Sequence, residues 1–274
     1  MQMSAPEQSQ NRRAYLQELE RRKHWVYAMR LLTLLLFFAL WEILTLQGIL
    51  NSFIFSSPSR ILEILWLMSN NGELLRHVAT SVIETAAGFF LGTFFGIWIA
   101  AALWWNPFLS DVSEPYLIVL NALPKTALGP VFIVCMGAGT GAIVAMTLAI
   151  SLIVTILTVW NGFLQTDKGK IRLLRSMGAG RMQIFTKLVL PSNFITIVNA
   201  MKVNIGLSWV GAITGEFLVS KAGLGYLIVY GSQVFKMDLV MASVLILAVF
   251  ALVMQGGVFL LERFVREHYG MKKE

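Results

Sequence analysis

The amino-acid sequence predicts an all-α integral membrane protein with about six transmembrane helices, and three observations lead there. Hydrophobic residues fill 57% of the 274 positions and charged residues only 14%, with a mean hydropathy of +0.69; a soluble domain carries about 25% charged residues. The apolar residues fall into runs of about twenty, the length a helix needs to cross the hydrocarbon core. Lysine and arginine gather on one side of those runs, sixteen against four, and such an excess marks the cytoplasmic side.

The elements follow in order. Residues 1–24 are polar and carry Arg12, Arg13, Arg21, Arg22 and Lys23. They read as a cytoplasmic tail near anionic lipid rather than a nucleic-acid-binding arm. The apolar run that follows is too long for a signal peptide and no small-residue cleavage site ends it, so the first span, about 25–46, is expected to be retained. Ser57-Pro58-Ser59 then introduces a stretch in which Ile61, Ile64, Leu65 and Met68 recur at helical spacing. That pattern predicts a short helix in the membrane interface. The second span covers about 78–104 and turns at Trp105-Asn106-Pro107. The third, about 112–136, is interrupted at Leu123-Pro124-Lys125, and the glycine-rich turn Gly137–Gly141 leads into the fourth, 142–163. A loop at 164–191, a fifth span at 192–219 and a sixth at 239–261 complete a membrane region of 25–261, before a basic tail at 262–274.

Charge sets the orientation. The N-terminal tail with Arg30 has six cations, the 164–191 loop has six, and the C-terminal tail has Arg263, Arg266, Lys272 and Lys273; the other side has Arg60, Arg76, Lys221 and Lys236. Both termini and the basic loop are thus expected in the cytoplasm. The net charge of +7 follows from this asymmetry without a nucleic-acid partner. The single cysteine, Cys135, leaves no intramolecular disulfide, and His24, His77 and His268 lack ligand spacing, so no metal site is supported. The sequence also supports no cofactor. The Gly137–Gly141 turn lacks the preceding strand of a nucleotide-binding loop, and no Gly-x-x-x-x-Gly-Lys-Ser/Thr occurs. If ATP drives this protein, another subunit binds it.

Two features inside the spans stand out. Gly88, Gly92 and Gly96 lie on one helical face, where they either let backbones approach or line a pore. Intramembrane ionisable groups are costly and point to function; here they are Glu42, Glu84, Lys125, Lys202 and Glu216. On the fifth span Lys202, Gly206, Trp209, Ile213 and Glu216 fall within roughly 40° of one another at about 100° per residue. This stripe should not face lipid; it lines a translocation path or makes a buried contact between helices. Asn121, Pro124 and Lys125 are further path candidates, because a broken helix is tolerated at membrane depth only beside protein or water. Glu42, near the outer end of span one, is expected to snorkel.

The basic loop has internal order. From Lys170 to Met177, Leu173, Leu174 and Met177 share one side of a helical wheel, with Arg172, Arg175 and Ser176 on the other. Gly178 is placed to cap this short amphipathic helix. Such a helix rests on the membrane surface or inserts into a groove on a partner.

The chain from about 80 to 263 resembles the permease subunits of bacterial ABC importers, in the branch that serves nitrate, bicarbonate, taurine and alkanesulfonates. The resemblance is carried by Arg172-Leu173-Leu174, Arg175-Ser176-Met177, Gly178 and a proline thirteen residues on at Pro191, the spacing of the family's EAA loop. Ser208-Trp209-Val210-Gly211 through Glu216, Gly223-Leu224-Gly225-Tyr226 and Leu123-Pro124 are similar to that branch as well. The chain departs at Arg172, where the family has an acid, and at Glu84, where relatives commonly carry arginine; a cation such as Lys202 or Arg76 is the candidate partner for Glu84. The resemblance implies a type I importer permease whose loop helix docks in a separate ATPase subunit through Arg172, Leu173, Leu174, Ser176, Met177, Gly178 and Ala179. It also implies an extracytoplasmic substrate-binding protein, a permease homodimer and location in the bacterial inner membrane. The solute is then a small oxyanion, or else a vitamin precursor, and ATP hydrolysis belongs to the partner. The competing class is an ion-coupled secondary carrier in which Glu216 or Glu84 titrates. A membrane enzyme has no matching site.

Overall fold

The computed structural model describes residues 5–268, with side chains described at Glu18 and from 20 to 267. Residues 1–4 of the N-terminal tail, the last residues of the C-terminal tail with Lys272 and Lys273, and the side chains of Arg12 and Arg13 lie outside the described residues. The chain divides into two compact units, Met1–Ile64 and Leu65–Glu274.

The first unit holds α1 (Ala5–Leu46), α2 (Ser52–Phe55) and the start of α3 (Pro58–Asn70). No glycine or proline interrupts residues 7–47, so the polar tail and the first span form one continuous helix. It stops at Gly48, whose left-handed backbone (φ 70°) ends it. Its Glu20–Leu46 portion is long and apolar enough to cross a membrane, and Leu31, Leu36 and Leu40 are more than half exposed, an arrangement suited to lipid. Glu42 does not snorkel. Its carboxylate accepts from Ser59 N at 3.1 Å and Ser59 Oγ at 2.8 Å, so it caps the free donors at the start of α3. On α3, Ile61 and Met68 are buried while Leu62 and Trp66 are exposed.

The second unit contains α4 (Glu73–Trp105), α5 (Pro107–Ala122), a 3-10 turn (Lys125–Leu128), α6 (Gly129–Met136) and α7 (Thr140–Leu164). Then come α8 (Lys168–Ser176), α9 (Arg181–Ile184), a π turn (Phe185–Val189), α10 (Leu190–Ser192), α11 (Phe194–Val219), α12 (Leu224–Gln233) and α13 (Met237–His268). Five helices of the described chain are long and apolar enough to span, and α5 with Lys125–Met136 passes as a sixth although the pair bends by 92°. The bend has a local cause. Leu123 precedes a proline and is extended (φ −65°, ψ 137°), because the proline ring disfavours helix at the residue before it, and Pro124 has no N–H to continue the ladder.

Helix α7 is the centre of the bundle, between α4 and α11. Gly88, Gly92 and Gly96 of α4 face Thr147, Ser151 and Thr155 of α7; a Cβ on Gly92 would stand 2.7 Å from that of Ser151. Residue numbers rise together along this seam, so α4 and α7 are parallel. Gly211 and Gly215 of α11 meet Thr147 and Ile143, in antiparallel register. Thr147 and Thr155 return their hydroxyl protons to their own helix, at Ile143 O (2.9 Å) and Ser151 O (2.8 Å), which lets small polar residues sit in a tight apolar seam. At one end the core is filled by Ile156, Val159, Trp160, Phe163, Val189 and Ile197. A second cluster of Phe89, Ile205, Trp209 and Val258 joins α4, α11 and α13. The sequence predicts no helix between the fifth and sixth spans, where the structure forms α12. The sixth span is also longer than predicted, because its helical hydrogen bonding continues through residues 262–268.

Candidate coupling surface and buried polar site

The basic loop forms two short helices separated by a tight cap. Asp167 opens α8, its carboxylate accepting from Gly169 N (2.7 Å) and Lys170 N (3.4 Å). At the other end Gly178 is left-handed (φ 84°). Its N–H bonds Arg175 O at 3.0 Å and that of Ala179 bonds Leu174 O at 3.0 Å, the paired bonds of a Schellman motif. Gly180 N then donates to Gln183 Oε1 at 2.9 Å, starting α9. The base of the loop is closed by Asn193, whose Nδ2 donates to Thr166 Oγ1 and to Val189 O, both at 2.9 Å. Beside this closure lies a cavity of about 480 Å³ lined by Asn161, Gln165, Lys170 and Ser192 among others.

The apolar residues of α8 do not all share one side. Ile171, Leu174 and Ala179 pack on the core of the bundle, whereas Leu173 is 60% and Met177 75% exposed. Arg172 and Ser176 are exposed too. Leu174 thus anchors the helix, and Leu173 and Met177 stand off it.

A buried polar cluster occupies the other end of the unit. Glu216 of α11 and Glu84 of α4 are each 1% exposed. Glu216 Oε1 accepts from Ser81 Oγ at 2.6 Å and Oε2 from Gly225 N at 2.6 Å, while Ser81 Oγ accepts from Leu224 N at 2.7 Å. Ser81 and Glu216 together cap α12. Gly223 N donates to His77 Nδ1 at 3.0 Å, and the His77 ring stacks on Tyr226 at 5.9 Å. Gly223 is left-handed (φ 123°), and any Cβ there would overlap the Glu216 carboxylate. Glu84 lies beside the Glu216 carboxyl and the Thr140 hydroxyl. Among the described residues, neither Glu84 oxygen is in hydrogen-bonding geometry with a donor.

The stripe on α11 is spread over three neighbours. Lys202 Nζ pairs with Glu262 Oε2 of α13 at 2.5 Å and lies 4.8 Å from the Phe259 ring; Glu262 is held in turn by Arg266 at 3.0 Å. The expected Glu84–Lys202 partnership is therefore corrected: Lys202 belongs to Glu262, and Arg76 is exposed. Trp209 is buried in the Phe89–Val258 cluster, Gly206 faces open space, and Glu216 caps α12. At the bend, Lys125 Nζ donates to Asn121 O (2.9 Å) and Asn121 Oδ1 (3.3 Å). It neutralises a carbonyl that the broken helix leaves free. Sequence reasoning missed Ser81, His77, Glu262 and Asn193. A signal for the first two was present: His77, Ser81, Glu84 and Gly88 recur at helical spacing and extend the glycine face toward the N-terminus of α4.

Residues 92–267 match the family described as the binding-protein-dependent transport system inner membrane component. The chain is 25% identical over 236 residues to the taurine transport system permease protein TauC of Escherichia coli (strain K12), covering 84% of this chain and 85% of TauC. It is 26% identical over 228 residues to SsuC of the same organism, described as an aliphatic sulfonates transport permease protein, covering 82% and 86%. Its fold is similar to that of the inward-facing MetNI methionine ABC transporter, with a TM-score of 0.62 at 22% identity over 70% of this chain and 95% of that one.

Proposed function

Because this chain belongs to the family of binding-protein-dependent transport inner membrane components, and is the non-catalytic, multi-pass subunit of an ABC importer, we propose that it conducts a small sulfonate of the taurine type, driven by a separate ATPase. The likeness to TauC and SsuC supports the sulfonate over nitrate or bicarbonate. The family sets aside an ion-coupled carrier.

The observation that carries the coupling mechanism is the pair Leu173 and Met177, large apolar side chains exposed on a helix that the Schellman cap and Asp167 hold rigid. A short helix anchored inward by Leu174 and presenting two apolar side chains outward suits insertion into a groove. The groove belongs to the ATPase, and Arg172 meets an acidic residue there. Two copies of the chain, two ATPase subunits and an extracytoplasmic binding protein make up the importer, with the basic loop in the cytoplasm. Asn121 and Lys125 line the path at the bend. Lys202, Trp209 and Glu216 hold α11 to its neighbours beside it, and the glycine face of α4 serves packing.

The test is uptake of labelled taurine by vesicles containing the chain with its ATPase and binding protein. Taurine and other alkanesulfonates are expected to compete while nitrate and bicarbonate do not; displacement by nitrate would reassign the solute. Changing Leu173 and Met177 together to Asp is expected to lower uptake to background and to remove the ATPase from the purified complex. Full ATPase recovery from that variant would refute the docking surface.

A further inference from the structure

We propose that the cleft between α8, α9 and the adjoining ends of α4, α5 and α7 is a binding site for a zwitterionic ligand bearing a tetrahedral oxyanion and a primary ammonium, and that its occupant is the headgroup of an aminophospholipid. The cavity measures about 360 Å³, within the ~300–1,000 Å³ range of small-molecule sites. Its floor is apolar, with Leu103, Ile171 and Ile184, and its rim carries both signs of charge: Asp111 and Glu114 from α5, Arg175 from α8 and Arg181 from α9.

These four side chains form no ion pair with one another among the described residues. Arg181 is instead held by tryptophans, 5.7 Å from the Trp104 ring, 5.5 Å from the Trp105 ring and 3.4 Å from Trp104 O. Charges of both signs that face one small cavity without pairing suit a ligand that also has both. Guanidinium groups offer planar donor forks to an oxyanion, and the carboxylates accept from an ammonium. Trp160 lines the cavity as well and, at 4% exposed, belongs to the packed core.

The position favours a lipid over a soluble zwitterion. The cleft sits where α4 and α7 end, at the level of Trp104 and Trp105, and tryptophans of this kind mark the membrane–water boundary. From its rim the exposed Phe108 and Val112 run along α5 and offer a track for acyl chains. A purely cationic rim would suit an anionic lipid; Asp111 and Glu114 favour the amine. The inference holds whichever solute the importer carries. Since Ile171 and Arg175 share α8 with Leu173, and Met177 caps that helix, a bound headgroup would brace the coupling helix from behind.

The experiment is native mass spectrometry of the purified full-length chain exposed to phosphatidylethanolamine, phosphatidylcholine and phosphatidylglycerol of identical acyl chains. Phosphatidylethanolamine is expected to be retained about tenfold better than either competitor, since a charged hydrogen bond is at stake with each group. Glu114→Gln combined with Arg175→Gln is expected to remove that preference, while Glu73→Gln combined with Lys187→Gln, the same loss of one charge of each sign outside the cleft, keeps it. Equal retention of the three lipids by the wild-type chain would overturn the site. So would a preference that survives the double variant. Displacement by free phosphoethanolamine or taurine at millimolar concentration would overturn the lipid assignment in favour of a soluble zwitterion.

Discussion

Ser81 connects two parts of the chain that its neighbours in sequence give no reason to associate. Its hydroxyl donates to Glu216 and accepts from Leu224 N, so Ser81→Ala leaves a buried amide and a buried carboxylate oxygen each one partner short. The expected cost is about 1–3 kcal/mol, read as a lower melting temperature in detergent. Glu84→Gln should act more mildly: the Glu84 carboxyl adjoins that of Glu216, and an amide of the same shape keeps a donor beside it without a second acidic group. A melting temperature that falls as far in Glu84→Gln as in Ser81→Ala would show that Glu84 has a partner the geometry does not reveal. Glu216 was legible in the sequence as an ionisable group on a polar stripe, but what it holds was not, because Ser81 lies 135 positions away. Lys202 was misassigned for a related reason. Its partner Glu262 falls just beyond the apolar run, where the sequence reads as tail, and only the continued helix of α13 brings it within reach.

At the scale of elements, the seams between helices were better foretold than their rotations. Three glycines at helical spacing announce a close approach, and α4 makes one against α7. The open Gly206 of α11 carries the same residue type with no neighbour within 4 Å. Gly92→Ala places a Cβ 2.7 Å from that of Ser151 and is expected to destabilise by about 1–3 kcal/mol through overpacking. Gly206→Ala should instead stabilise by roughly 0.5–1 kcal/mol, because alanine loses less backbone freedom in a helix. Thermal melts of both variants check the contrast, and equal effects would mean that the seam relaxes. The rotation of α8 is the opposite case. Its amphipathic pattern and the cap at Gly178 could be read from the sequence, yet a wheel puts Leu173 and Leu174 together. Which of them turns inward depends on Ile171 and Ala179 packing onto the bundle, a tertiary choice that spacing alone does not encode. α12 was hidden for a similar reason, since ten residues are too few to stand out as a span and its start is fixed by side chains of α4 and α11.

For the whole molecule, the directions of the helices decide how the broken third segment is used. α4 and α7 run parallel, as the paired contacts Gly88–Thr147 and Gly96–Thr155 require. The ends of both lie beside the basic loop, where Arg181 reaches Trp104 O. The chain leaving Trp105 must therefore return to the far side before Thr140 begins α7, and only α5 with α6 is available to carry it. The bent pair is thus a crossing rather than a re-entrant loop, despite its 92° break. Cys135, the chain's single cysteine, is exposed near the end of that crossing, one short turn before Gly137. With the basic loop in the cytoplasm, as the proposed function has it, Cys135 faces the extracytoplasmic side. A membrane-impermeant maleimide added to intact spheroplasts should label it, while a cysteine introduced by Lys168→Cys in a Cys135→Ser chain should react only after lysis. The reverse pattern would invert the orientation and keep the fold. Labelling of both positions from the same side would contradict a membrane crossing by α7, since Cys135 and Lys168 flank the two ends of that one helix.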